Sequence, residues 1–272
     1  MLGWDACGQV EALGEGVTGF AVGDWVYYAG QTDRHGCNAE YQAVDARLVA
    51  KAPASLNPAE AAALPLTGLT AWEALFERLG YEPDAREGNA TKPLLIINGA
   101  GGVGSIALQL CRWAGIPVTA TASRPESQAW CRQMGATEVI DRAALVDLPD
   151  NRFARILCCH DTDAYFNLMS RLVAPQGLVC ALAGTREKHD LQPLMNKSAG
   201  FVWEYMFTRS QHQTADIARQ GDILTELARL VAAGDVKTTL TNTMAGLTAG
   251  NIAALHERQE AGGLIGKQAV TQ

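Results

Sequence analysis

Positive charge is in short supply in this sequence: 22 Lys and Arg stand against 29 Asp and Glu, a net charge of -7. That deficit excludes a protein built to neutralise a nucleic-acid backbone or an anionic membrane surface. Long hydrophobic runs are missing too, so no segment reads as a bilayer span, and MLGWDACGQV has neither the basic start nor the apolar core of a secretory signal. The cytoplasm is therefore the expected compartment. Cysteine pairs at C-x-x-C spacing are absent, and no His/Cys group has zinc-site spacing. The seven cysteines, at 7, 37, 111, 131, 158, 159 and 180, are an odd number and are expected to be reduced and mostly buried. Internal repeats and low-complexity tracts are likewise missing.

What is present is a sizeable apolar fraction, 48% over 272 residues, enough for two lobes. From Gly8 to Tyr41 glycines are frequent, and DWVYYAG, AEYQAV and RLVAKAP read as short strands of a turn-rich β lobe. After Pro53, NPAEAAALPLTGLTAWEALFERLG predicts helix, with Asn57 as its N-cap and Pro58 in the first turn. Beyond a polar connection the pattern alternates. LLIIN, PVTATA, EVID, RILCCH and GLVCALAG read as strands, separated for the most part by helices over SIALQLCRWAG, PESQAWCRQMG and AYFNLMSRLV. Apolar strands alternating with helices imply a doubly wound parallel sheet. A helix over DILTELARLVAAG, then strand-like VKTTLT and GKQAV, end the chain and are expected to return to the β lobe.

In NGAGGVG, Gly99, Gly101 and Gly104 fit G-x-G-x-x-G between a buried strand and a helix whose start has no capping side chain. Glycine lets the backbone approach a pyrophosphate, and the free N-H groups of a helix start supply donors. Gly102 and Val103 complete the turn. A tight strand-to-helix turn without a ligand is the other reading. About 20 residues further on, where an acidic side chain would meet the ribose hydroxyls of NADH, stand Ala122, Ser123 and Arg124. Arg124 can pair with a 2′-phosphate and Ser123 can add a hydroxyl, which favours NADPH; a solvated arginine at a helix start is the alternative. Glu126 is expected to face solvent. His160 follows the strand ILCC and either touches the cofactor or only finishes the strand. Of Cys158 and Cys159, at least one faces the core.

Several motifs together, GWDACGQV, GFAVGDWVYYAG, AAALPLTGLTAWEAL, INGAGGVGSIALQL, ATASRPES and GLIGKQAV, resemble the medium-chain dehydrogenase/reductase superfamily along nearly the whole chain. SRPES, HDTDAYF and EYMFTRS are most similar to its zinc-independent quinone-oxidoreductase-like branch, whose members are often labelled zinc-type alcohol dehydrogenase-like. The resemblance implies an α/β fold: a partial GroES-like lobe (1–66), truncated at its N-terminus, a Rossmann domain (67–207) and a C-terminal segment returning to the lobe (208–272). The family's lobe normally begins a few tens of residues before its equivalent of Leu2, so the chain is expected to start in mid-lobe.

The resemblance also bears on single residues. In zinc-dependent members a His-Glu pair occupies the place of Trp4 and Asp5, and a cysteine the place of Ala63; the four-cysteine structural loop is reduced here to Cys37. No metal is expected. Thr67 matches a threonine near the nicotinamide or is a helix cap. Lys267 matches a lysine near the chain end that attracts phosphate, or is an ordinary surface lysine. Trp203, Tyr205, Met206 and Phe207 are expected to form an aromatic cluster on the last Rossmann strand, which in the family often pairs with its twin across a homodimer; core packing explains them almost as well. The expected activity is NADPH-dependent hydride transfer to a quinone or α,β-unsaturated carbonyl, with no nameable general acid. A non-catalytic NADPH-binding protein and a zinc alcohol dehydrogenase stay open as alternatives.

Overall fold

The computed structural model describes residues 2–272. Its strands are β1 (Ala6–Gln9), β2 (Trp25–Tyr28), β3 (Ala50–Lys51), β4 (Leu94–Ile97), β5 (Val118–Thr121), β6 (Glu138–Ile140), β7 (Phe153–Cys158), β8 (Val173–Ala181), β9 (Gly200–Trp203), β10 (Leu240–Ala245) and β11 (Lys267–Thr271). Its helices are α1 (Pro58–Ala62), α2 (Pro65–Trp72), α3 (Arg86–Ala90), α4 (Gly102–Ala114), α5 (Pro125–Met134), α6 (Thr162–Leu172), α7 (Gln192–Met195), α8 (Thr208–His212), α9 (Arg219–Ala232) and α10 (Ala249–Ala261). The chain divides into two compact units, one of residues 1–69 with 206–272 and one of residues 70–205.

The unit of residues 70–205 carries a six-stranded parallel sheet in the order β6-β5-β4-β7-β8-β9. Strand β4 is wholly buried, as its unbroken apolar run requires of a central strand covered on both faces. Helices α4 and α5 end at Gly115 and Gly135, both in the left-handed region that closes a helix, which turns the chain back toward the next strand. Against α6 a core forms around Phe153, Ile156, Phe166, Met169 and Val179. Of the adjacent cysteines, Cys158 is wholly buried, while the residue Cys159 is partly exposed. All seven cysteines are free.

The other unit holds a three-stranded antiparallel sheet, β1-β2-β3, and a separate parallel pair, β10-β11. Strand β2 leans on α9, where the buried Tyr27 hydroxyl donates to the Leu224 carbonyl at 2.5 Å. Helix α1 begins as expected: Asn57 Oδ1 accepts from the Glu60 N-H and Glu60 Oε2 from the Asn57 N-H, both at 3.0 Å.

Three local expectations give way. AEYQAV is not a strand; the two residues before it, Cys37 and Asn38, donate their N-H groups to the Gly3 and Leu2 carbonyls. In RLVAKAP only Ala50–Lys51 pair as strand, while Asp45 caps a 3-10 turn over Ala46–Leu48. The helix drawn from Asn57 to Gly80 is interrupted at Pro65, whose missing N-H suits a first helical position, and widens into a π-helical segment over Glu73–Arg78. Helix α10, with little amphipathic pattern and no buried residue, escaped the sequence reading.

The π-helical segment places Arg78 Nε 2.9 Å from Glu204 Oε2, and the Glu204 side chain is fully buried. Arg78→Ala takes its arginine partner from a buried carboxylate and is expected to lower stability in urea unfolding, by up to about 3 kcal/mol.

Candidate functional site

The turn after β4 is held on both sides. Asn98 takes a positive φ of 70°, its N-H donates to Thr121 Oγ1 at 2.9 Å, and its amide side chain donates to the Cys159 carbonyl at 3.2 Å. The Gly99 N-H donates to the Thr121 carbonyl at 3.1 Å. Two of the glycines are steric necessities: a Cβ on Gly104 would lie 2.5 Å from the Asn98 carbonyl oxygen, and one on Gly99 would lie 2.8 Å from the Ala120 methyl. Helix α4 thus starts as close to β4 as backbone can come. Its N-cap, Gly101, makes no side-chain capping bond. Ser105 is anchored instead, donating to the Gly101 carbonyl at 2.7 Å and accepting from Trp130 Nε1 at 2.8 Å. The outward N-H groups of the first turn are left to a ligand or to water, with the positive end of the helix dipole behind them.

The sheet order reverses between β4 and β7, and there a cleft of about 620 Å³ opens at the strand ends. Val103 of α4, Cys159, His160 and Asp161 after β7, and Leu182 and Arg186 after β8 line it. The first turn of α6 ties these walls together. Thr162 Oγ1 donates to the Ala183 carbonyl at 2.6 Å, and Asp163 accepts from the Arg186 N-H at 3.0 Å and lies 2.6 Å from His189 Nε2. The His189 ring stacks on Phe166 at 4.3 Å. The Arg186 N-H and then His189 hold the Asp163 carboxyl below its ordinary range, so it remains charged. Burial pushes the Cys159 thiol well up and keeps it neutral. His160 has a ring contact with Tyr165 at 6.1 Å.

Gly99, Gly101, Gly102, Val103 and Gly104 therefore form one turn, and Val103 and His160 share the cleft. Ser123 and Arg124 are exposed just past the end of β5. Glu126 is exposed as expected, and it also grips Arg124, Nε to Oε1, at 3.0 Å. Thr67 and Lys267 belong to the other unit. Thr67 is buried inside α2, and its hydroxyl donates to the Ala63 and Leu64 carbonyls rather than capping the helix. Lys267 Nζ lies 2.7 Å from Asp5 Oδ2, while Asp5 Oδ1 accepts the Leu66 N-H at the start of α2, also at 2.7 Å. Burial raises the Asp5 carboxyl, partly offset by Lys267.

Three residues were missed by the sequence reading. Asn98 was signalled only by its place before glycine, Asp5 by nothing local, and Arg186 by nothing but a charge in a polar loop. Trp4 packs edge-on against Phe207, and Cys37 donates to the Asp5 carbonyl at 3.0 Å. Among the described residues no group of three or more His, Cys, Asp or Glu side chains converges to hold a metal ion, and no helix is long and apolar enough to cross a membrane.

Comparison with known proteins agrees with this geometry. Residues 1–54 match the alcohol dehydrogenase GroES-like domain, and residues 102–218 match the zinc-binding dehydrogenase family. A zinc-type alcohol dehydrogenase-like protein of Staphylococcus aureus is 41% identical, over 98% of this chain and 81% of its own length. A solved Rhizobium etli protein named for zinc-dependent alcohol dehydrogenases is 40% identical with a TM-score of 0.90, over 99% of this chain and 80% of that one. A quinone oxidoreductase from Pseudomonas syringae is 26% identical with a TM-score of 0.82, over 100% of this chain and 82% of that one. A Rossmann-type parallel sheet with an open glycine turn, joined to a GroES-like lobe in one chain, thus makes this protein an oxidoreductase of the medium-chain dehydrogenase/reductase superfamily, in its quinone-oxidoreductase-like branch.

Proposed function

We propose that this oxidoreductase uses NADPH to reduce a quinone or an α,β-unsaturated carbonyl, without zinc. The observation that carries the reading is the pairing of an uncapped glycine turn with Ser123 and Arg124 past β5, where no acidic side chain stands at either position. The turn would hold the diphosphate on the N-H groups of Gly102, Val103 and Gly104, with Gly99 and Gly101 shaping the approach. Arg124 would leave Glu126 for the 2′-phosphate, exchanging one exposed ion pair for a charge-assisted contact, with the Ser123 hydroxyl beside it. His160 walls the cleft. Thr67 and Lys267 keep a part in this reading through the resemblance alone, since each has another partner in the fold.

When bound, NADPH would supply a hydride. A quinone or enone spreads the resulting negative charge onto a distant oxygen that hydrogen bonds or water can meet. A simple alcohol or carbonyl needs a Lewis acid for that charge, and Trp4 and Ala63 offer no metal-binding donor where zinc-dependent relatives carry them. The seven free thiols suit a reducing compartment, the cytoplasm.

We propose a second copy of the chain at β9, the end of the sheet, whose outer edge pairs with no strand among the described residues and beside which Trp203 and Tyr205 are 45% and 49% exposed.

Calorimetric titration tests the cofactor. NADPH is expected to bind more tightly than NADH, and Arg124→Ala to weaken NADPH about tenfold while leaving NADH unchanged. Equal affinities, or a preference for NADH, would sink the NADPH assignment. With NADPH present, turnover of quinones and enones but not of simple aldehydes is expected in a spectrophotometric assay. Sedimentation is expected to show a dimer that Trp203→Glu converts to a folded monomer; a wild-type monomer removes the β9 pairing.

A further inference from the structure

A diphosphate is doubly anionic, whereas a helix start offers roughly half an elementary charge. From Leu94 to Leu110 the chain has no charged residue, so the turn itself holds no cation. The balancing charge has to come from elsewhere. Of the residues lining the cleft beside Val103, only Arg186 carries a permanent positive charge.

Arg186 is built to reach. Its backbone is pinned, because the N-H donates to Asp163 Oδ2 at 3.0 Å, and Asp163 is in turn fixed by His189. Its head group is loose. The side chain is 83% exposed, and its nitrogens stand 3.4 Å from Asp161 and 3.8 Å from Asp163. Other arginines of the same unit sit much closer to their carboxylates: Arg152 to Glu138 and Arg171 to Asp150, both at 2.7 Å. An exposed side chain exchanges rotamers within nanoseconds.

We propose that Arg186 is a cofactor-binding residue, which swings from Asp161 and Asp163 onto the diphosphate bridge of the bound dinucleotide. This role rests on the reading of the glycine turn as a dinucleotide site and deepens it. The guanidinium closes the mouth of the cleft and supplies, through a charge-assisted contact, the positive charge that the glycine turn lacks. Because NADPH and NADH share the bridge, Arg186 contributes to affinity and not to the choice between them. Asp163 is a positioning residue here: it holds the Arg186 backbone so that the guanidinium alone moves.

The test is titration of the full chain with NADPH and, separately, with NADH. Arg186→Ala is expected to weaken both nucleotides by the same factor, about tenfold, with Arg186→Lys between it and wild type. In contrast, 2′-AMP, which has the ribose phosphate but no diphosphate, is expected to bind Arg186→Ala as it binds wild type. An unchanged melting temperature shows that the exposed side chain was not holding the fold. The role is overturned if Arg186→Ala binds both nucleotides like wild type, loses NADPH alone, or changes only the KM for the acceptor. A wild-type chain that binds neither nucleotide removes the dinucleotide reading and this role with it, whereas wild-type binding with an indifferent Arg186→Ala removes the role alone.

Discussion

The nucleotide-binding unit depends on one close approach. The backbone of α4 starts so near the end of β4 that a single methyl on Gly104 would collide with the Asn98 carbonyl. That contact can be sustained only because Asn98 is tied on one flank to Thr121 and on the other to Cys159, which fixes β4 between β5 and β7 at the reversal of strand order. Given this anchor, the first-turn N-H groups point outward from a rigid base. A polar capping side chain would satisfy one of those N-H groups, and Gly101 gives that bond up at a cost of only about a few tenths of a kcal/mol. The first-turn N-H groups are left without a side-chain cap at almost no cost in stability.

In the unit that carries the GroES-like lobe, a comparable economy centres on Asp5. One oxygen caps the start of α2 at Leu66 and the other meets Lys267 on β11, so a single carboxylate joins the beginning of the chain, its middle and its end. The Asp5 carboxylate is thus spent on structure.

Most of the fold was legible because it rests on local rules. Apolar strands alternate with helices, Asn57 and Glu60 form a capping box three residues apart, and glycines close α4 and α5. Elements failed where another constraint outweighed the pattern: Cys37 and Asn38, just before AEYQAV, spend their N-H groups on Gly3 and Leu2, and the helix after Asn57 is interrupted at Pro65. The site was legible in the same proportion. Its glycines and Arg124 stand in a recognisable pattern, whereas Asn98, Asp5 and Arg186 act through partners 23 to 262 residues away.

By itself the sequence determined the superfamily, the parallel sheet, the glycine turn and the residue types past β5. These depend on periodicity, on glycine's missing Cβ and on short spacings, all of which are read within a window of a few residues. Only the tertiary structure decided that Lys267 is held by Asp5 and that Arg186 shares a cleft with Val103. The physical reason is that hydrogen bonds and ion pairs act over about 3–4 Å in space. Which charges meet at that range is set by how strands stack and helices cross, and no spacing along the chain encodes it.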